Sequence, residues 1–171
     1  AVKLCRGYGR LCGLVGRYEQ HLAHVEDGIG RDPKAHHFAT LNALMLDHGI
    51  LGQATEYPSE YDPGSLFPIA RKTARDVLGI KEPLPFIGQD IWNAFELSWL
   101  DRAGRPRAGL AEFVFPATSS HIIESKSFKL YLNSFNQTRI GDSERLRQML
   151  MRDLTQACGA TVNVTILPAA T

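Results

Sequence analysis

No stretch of this sequence approaches the ~18 consecutive apolar residues that a membrane-spanning helix requires. Nor does it open with a charged leader, an apolar segment and a small-residue cleavage site. Cysteine is scarce. Cys5, Cys12 and Cys158 are an odd set with no C-x-x-C pair, which argues against a disulfide framework and against a zinc site. Neither sign of charge dominates: 19 lysines and arginines stand against 18 aspartates and glutamates, a net +1 without a long run of either sign. Charge alone therefore implies no nucleic-acid surface. The absences point to a soluble chain of the reducing cytoplasm, with no membrane and no direct nucleic-acid contact. Its 171 residues suffice for one self-sufficient core.

Residues 1–48 read as a flexible leader and 49–171 as the folded module. In the leader, Gly7-Tyr8-Gly9-Arg10-Leu11-Cys12 lacks the last glycine of a dinucleotide fingerprint and follows no expected strand. His21, His24, His36 and His37 have no acidic or cysteine partner at ligand spacing, so they read as solvated loop histidines and no metal site is expected. The stretch from Tyr57 to Gly64 is rich in the turn formers Pro, Asp, Ser and Gly and reads as an ordered loop. Leu66-Phe67-Pro68-Ile69 then anchors that loop on a core. Arg71, Lys72 and Arg75 are close enough together to meet a phosphate, but a solvated basic turn is the favoured reading. Lys81 to Gly88, with Pro83 and Pro85, is an extended connector.

Period-two alternation marks the body. Ile91, Asn93, Phe95, Leu97 and Trp99 share one parity and give a long strand its mostly apolar face. Asp101 to Pro106 supply a turn, and Ala111, Phe113 and Phe115 alternate in a return strand, so the pair is a hairpin. A short run, His121 to Glu124, precedes a helix expected over roughly residues 127–137. A second helix has Asp142 as N-cap, Leu146, Met149, Leu150 and Leu154 on its buried face, and Gly159 at its end. Val162, Val164 and Ile166 alternate in a last strand. The expected fold is α+β, strand-strand-helix-helix-strand, an antiparallel sheet with two helices packed on one face. The last strand must pair with an earlier one or leave an exposed edge.

The joint between the short strand and the first helix concentrates the chemistry. Ser125 or Ser127 can cap the helix, while Lys126 and Lys129 crowd an end that the macrodipole already makes positive. Exposed N–H groups there suit an anionic ligand group such as a nucleotide phosphate. Glu124 stands one step behind, either as a binding group or as a capping or salt-bridged carboxylate.

Three stretches carry a family resemblance: Leu84-Pro85-Phe86-Ile87-Gly88-Gln89-Asp90-Ile91-Trp92, Phe95-Glu96-Leu97-Ser98-Trp99-Leu100, and Ile123 to Thr138 with its Glu-Ser-Lys-Ser-Phe-Lys string. The chain resembles the N-terminal half of the NADPH-dependent 7-cyano-7-deazaguanine reductases, the two-module nitrile reductases of queuosine biosynthesis, a tRNA modification. The resemblance runs from about Leu51 to Leu167. It implies a tunnelling-fold module, substrate sites at module interfaces and assembly into oligomers. It assigns Glu124 to the deazaguanine, with backbone groups of Ile122 and Ile123 beside the base, and Ser125, Lys126 and Lys129 to NADPH. It also implies a cysteine nucleophile and an aspartate proton donor in a C-terminal module that this chain does not reach. Cys158 lies on the apolar face of the second helix and reads as a core residue, so no catalytic residue is assigned. The alternative is a non-catalytic tunnelling-fold module that binds a purine or pterin, or serves assembly.

Overall fold

The computed structural model describes residues 4–7 and 58–168; Cys12 and the histidines at 21, 24, 36 and 37 lie outside them. In chain order the elements are strand β1 (Leu4–Gly7), a 3-10 turn (Pro63–Ser65), strand β2 (Pro68–Ala70), helix α1 (Arg71–Val77), strands β3 (Gln89–Leu100), β4 (Pro106–Pro116) and β5 (His121–Ile123), helices α2 (Ser125–Asn133) and α3 (Ser143–Cys158), and strand β6 (Asn163–Pro168). The main sheet is antiparallel in the order β1-β3-β4-β6, and β2 pairs with β5 in a separate two-stranded ribbon. The architecture is α+β. The expected five-element order is its backbone, to which β1, β2, α1 and the short strand β5 are added.

Strand β3 does not keep one parity. It buries Trp92 and Ala94, then Leu97 and Trp99. The pairing slips between them: Ala94 faces Ala111 and Leu97 faces Gly109, so Phe95 and Glu96 together oppose Leu110. This is a β-bulge, which moves the buried set from even to odd positions partway along the strand. Phe95, expected on the apolar face, is 48% exposed for that reason.

One core lies between the sheet and helices α2 and α3. Phe128 of α2 sits at its centre, with ring centroids 5.9, 5.0 and 6.0 Å from Trp92, Phe113 and Phe115. All three contacts are edge-on, the arrangement aromatic quadrupoles favour. Helix α3 follows its sequence signals. The Asp142 carboxylate accepts from the Arg145 N–H at 2.8 Å, and Leu146, Leu150, Leu154 and Cys158 are fully buried. Gly159 ends the helix at φ 71°, where an added Cβ would lie 2.5 Å from Ser120 Oγ. Strand β6 pairs with β4, Val164 opposite Phe113 and Leu167 opposite Leu110. It closes one side of the sheet. Among the described residues no helix is long and apolar enough to cross a membrane.

Two local readings are corrected. Helix α2 begins at Ser125 and stops at Asn133 rather than running through residues 127–137. Hydroxyls intercept the carbonyls that would carry it on: Ser134 Oγ donates to Tyr131 O at 2.6 Å and Thr138 Oγ1 to Ser134 O at 2.8 Å. Phe135 remains in the core nonetheless, 5.2 Å from the Tyr131 ring. The basic segment is no solvated turn but helix α1, and its arginines point inward. Arg71 donates to Ser119 Oγ at 2.9 Å and to Asp90 at 2.6 Å, while Arg75 reaches the Ala117 carbonyl. Only Lys72 is a surface group, paired with Asp76 one turn on.

Candidate ligand-binding joint at Glu124

Strand β5 ends at Ile123 and helix α2 starts at Ser125, so Glu124 alone joins them. It is 6% exposed. The cap expected from Ser125 or Ser127 is Glu124 itself: Oε1 accepts from the Lys126 N–H at 2.8 Å and Oε2 from the Ser127 N–H at 2.7 Å. The N–H groups read as an open anion site are therefore partly filled by the chain's own carboxylate, which also offsets the helix dipole. Oε2 keeps a further acceptor position beyond the bond it has made, and on Oε1 the second position is taken only by the long bond from the Ser125 hydroxyl. Ser125 Oγ lies 3.4 Å from Oε1.

The ribbon that carries this joint is held from several sides. Pairs Pro68–Ile123, Ile69–Ile122 and Ala70–His121 set its register. Glu124 N–H donates to Phe67 O at 2.9 Å and Arg71 N–H to Ser120 O at 3.0 Å. By the alternation of an antiparallel ladder, Ile122 spends its backbone groups on Ile69, whereas the N–H and C=O of Ile123 point away from β2. Pro68, which has no N–H, occupies a position where none is used. Arg71 and Ser119 brace the approach to β5, because Ser119 Oγ donates to the His121 carbonyl at 2.8 Å.

A second polar cluster fixes the segment before β2. Asp153, 7% exposed on α3, accepts from Tyr61 at 2.5 Å and Tyr131 at 2.7 Å on one oxygen, and from Arg152 Nε at 2.9 Å on the other. Arg152 also donates to the Tyr61 hydroxyl at 2.8 Å. Burial, and then the bond to Asp153, pushes the Tyr61 hydroxyl up to about 12 and that of Tyr131 well above the usual phenol range. A cleft of about 670 Å³ runs along this segment, lined by Tyr61, Leu66, Pro68, Arg152 and Gln156 among others. Glu124 is not among its walls. The sequence reading passed over this cluster, although an aspartate directly beside Leu154 on an apolar helix face signals a buried carboxylate in need of donors.

The residues that the resemblance assigns to substrate and to cofactor differ in burial. Ile123 and Glu124 are buried and Ile122 half-buried, whereas Ser125 and Lys129 are exposed and Lys126 is half-buried. Lys126 and Lys129, three apart, lie on neighbouring positions of the helix surface. Cys158 is fully buried and burial pushes its thiol up to about 11. It is a core residue, as expected. Among the described residues no group of histidine, cysteine and acidic side chains could hold a metal ion.

An antiparallel sheet with its helices on one face, and a carboxylate seated where a strand turns directly into a helix, define an α+β module of the tunnelling-fold kind. Residues 57–166 match the family described as nitrile reductase, 7-cyano-7-deazaguanine-reductase N-term, and the chain belongs to that family. It is 57% identical over 121 residues to the NADPH-dependent 7-cyano-7-deazaguanine reductase of Bordetella pertussis, covering 71% of this chain and 44% of that protein. The enzyme of the same name from Ralstonia nicotianae is 50% identical over 124 residues, 71% of this chain and 45% of the relative. That from Chromobacterium violaceum is 53% identical over 132 residues, 76% and 47% respectively. The chain thus spans less than half the length of these curated relatives.

Proposed function

We propose that this chain forms part of an oxidoreductase that reduces the nitrile 7-cyano-7-deazaguanine to 7-aminomethyl-7-deazaguanine with NADPH, in the cytoplasm, on the route to queuosine. Its own share is substrate and cofactor contacts. The observation that carries this reading is the Glu124 carboxylate, locked in orientation by two backbone N–H groups with acceptor positions to spare. A guanine-like edge presents a ring N–H and an amino group side by side, and a carboxylate accepts both. Of the two isoleucines, Ile123 has backbone groups directed away from the ribbon and free for the base; Ile122 contributes its side chain and the register.

NADPH supplies hydride when bound. Ser125, Lys126 and Lys129 fit its phosphates, since their side chains stand on the solvent side of the helix turn that Glu124 heads. The nucleophile that the family resemblance implies is not Cys158, whose thiol is buried and held protonated. It belongs to a further module, which we place against the helix-free face of the sheet, where Phe95, Leu110 and Leu167 are exposed. Assembly with further copies follows the same logic.

Calorimetric titration of the full-length protein with 7-cyano-7-deazaguanine and, separately, with NADPH tests the reading. Glu124→Ala should weaken the nitrile by about 1.5–3 kcal/mol, the worth of a charged hydrogen bond, and leave NADPH affinity unchanged. Lys126→Ala with Lys129→Ala should do the reverse. Unaltered nitrile affinity in Glu124→Ala would remove the assignment.

A further inference from the structure

Ser127 is fully buried, so its side chain cannot meet a ligand. Its N–H and its hydroxyl are nevertheless spent around Glu124. Its N–H donates to Glu124 Oε2 at 2.7 Å and its hydroxyl donates to the Glu124 carbonyl at 2.8 Å. The same hydroxyl accepts from the Phe67 N–H at 3.1 Å, and Phe67 O in turn accepts from the Glu124 N–H at 2.9 Å. In a regular antiparallel pair the Phe67 N–H would bond directly to the Glu124 carbonyl. Here the serine hydroxyl is inserted into that rung. The result is a closed ring of three hydrogen bonds through Phe67, Glu124 and Ser127, which grips the glutamate backbone at its N–H and its carbonyl, while the Ser127 N–H adds a fourth bond, to the carboxylate.

We propose that Ser127 is a positioning residue for ligand recognition, acting through Glu124: it joins the end of the β2–β5 ladder to the first turn of α2 and fixes the direction in which the carboxylate presents its remaining acceptor positions. The inference rests on the assignment of Glu124 to the nitrile substrate. A carboxylate on a longer side chain has more rotamers to lose than the usual short caps; the N–H groups of Lys126 and Ser127 remove that freedom before ligand arrives, and the ring holds the Glu124 backbone and the first helical turn in the relative position this needs, which is the general route by which preorganisation raises affinity. Phe67 enters the site by the same argument, through its backbone alone. The hydroxyl cannot be replaced by a shifted backbone, because Glu124 N–H and the Pro68–Ile123 pair already fix the spacing of the two strands.

The test is a double-mutant cycle on the full-length protein, with 7-cyano-7-deazaguanine and NADPH titrated separately and thermal unfolding recorded for each variant. Ser127→Ala should weaken nitrile binding roughly three- to tenfold, the factor one lost hydrogen bond supplies, without altering NADPH affinity. In a Glu124→Ala background the same substitution should leave nitrile affinity unchanged while still lowering the unfolding temperature. Ser127→Cys, nearly isosteric but a weak hydrogen-bonding group, should act in the same direction and keeps the test available if the alanine variant does not fold. Full nitrile affinity in Ser127→Ala, with Glu124→Ala impaired, overturns the role of Ser127 and leaves that of Glu124 standing. An equal effect of Ser127→Ala with and without Glu124 overturns it as well. Full affinity in Glu124→Ala removes the premise itself.

Discussion

The Tyr61 hydroxyl donates to Asp153 Oδ2 at 2.5 Å across 92 positions of sequence, and Tyr131 shares the same oxygen. Two phenols from a loop and a helix thus converge on one carboxylate of another helix. The pairing holds the segment that leads into Phe67 against α2 and α3, so it stabilises the fold and, through Phe67, the placement of Glu124.

Tyr61→Phe removes one donor from a nearly buried carboxylate and should cost about 1.5–3 kcal/mol of unfolding free energy. Tyr131→Phe should cost as much or more, its ring being fully buried. The double variant should lose less or more than the sum, since both hydroxyls serve one oxygen. Urea unfolding of the three variants measures this. Strict additivity would show that the two bonds are independent.

Alkaline pH should unfold the protein through the same cluster. The Tyr61 hydroxyl is pushed up from 10.0 to about 12 in the folded chain, so the native state holds this proton more tightly than the unfolded state does. The resulting stability is fully present below about pH 10, where unfolded tyrosine begins to ionise, and is lost as pH rises towards 12. Unfolding free energies measured across that window should fall for the parent protein and fall less steeply for Tyr61→Phe. Parallel declines would exclude Tyr61 as a contributor.

The bulge in β3 makes an unusual deletion tolerable. Removing Phe95 leaves Glu96 alone opposite Leu110, so Ala94 and Leu97 keep their partners Ala111 and Gly109 and the strand regains simple alternation. The deletion should fold with its core intact, in contrast to Leu97→Ala, which should cost about 2–5 kcal/mol by leaving a cavity. Circular dichroism and denaturant midpoints distinguish the two. An unfolded deletion variant would mean that the bulge itself is required.

Elements governed by local chemistry were legible in the sequence. Asp142 and Gly159 bracket α3 because capping and a left-handed end are properties of single residues, and β4 shows its alternation openly. Strand β3 misled because a bulge is set by pairing: nothing near Phe95 announces that it shares one partner with Glu96. Helix α1 was misread for a related reason, since Arg71 and Arg75 find their partners at Asp90, Ala117 and Ser119, 19 to 48 positions on. At the joint, position and residue type were readable but the cap was sought among the serines, which usually fill that role. A glutamate can take it here because its longer chain folds back over the first turn and meets two N–H groups at once.

A strand that becomes a helix across a single residue has no slack. A residue on a loop absorbs a local pull by changing a few dihedral angles. Glu124 has strand on one side, helix on the other and a side-chain rung tying both together, so a force on its carboxylate is borne by two elements together. The joint can open only by parting the ribbon and unwinding the helix in one event, which makes it a hinge pin rather than a hinge.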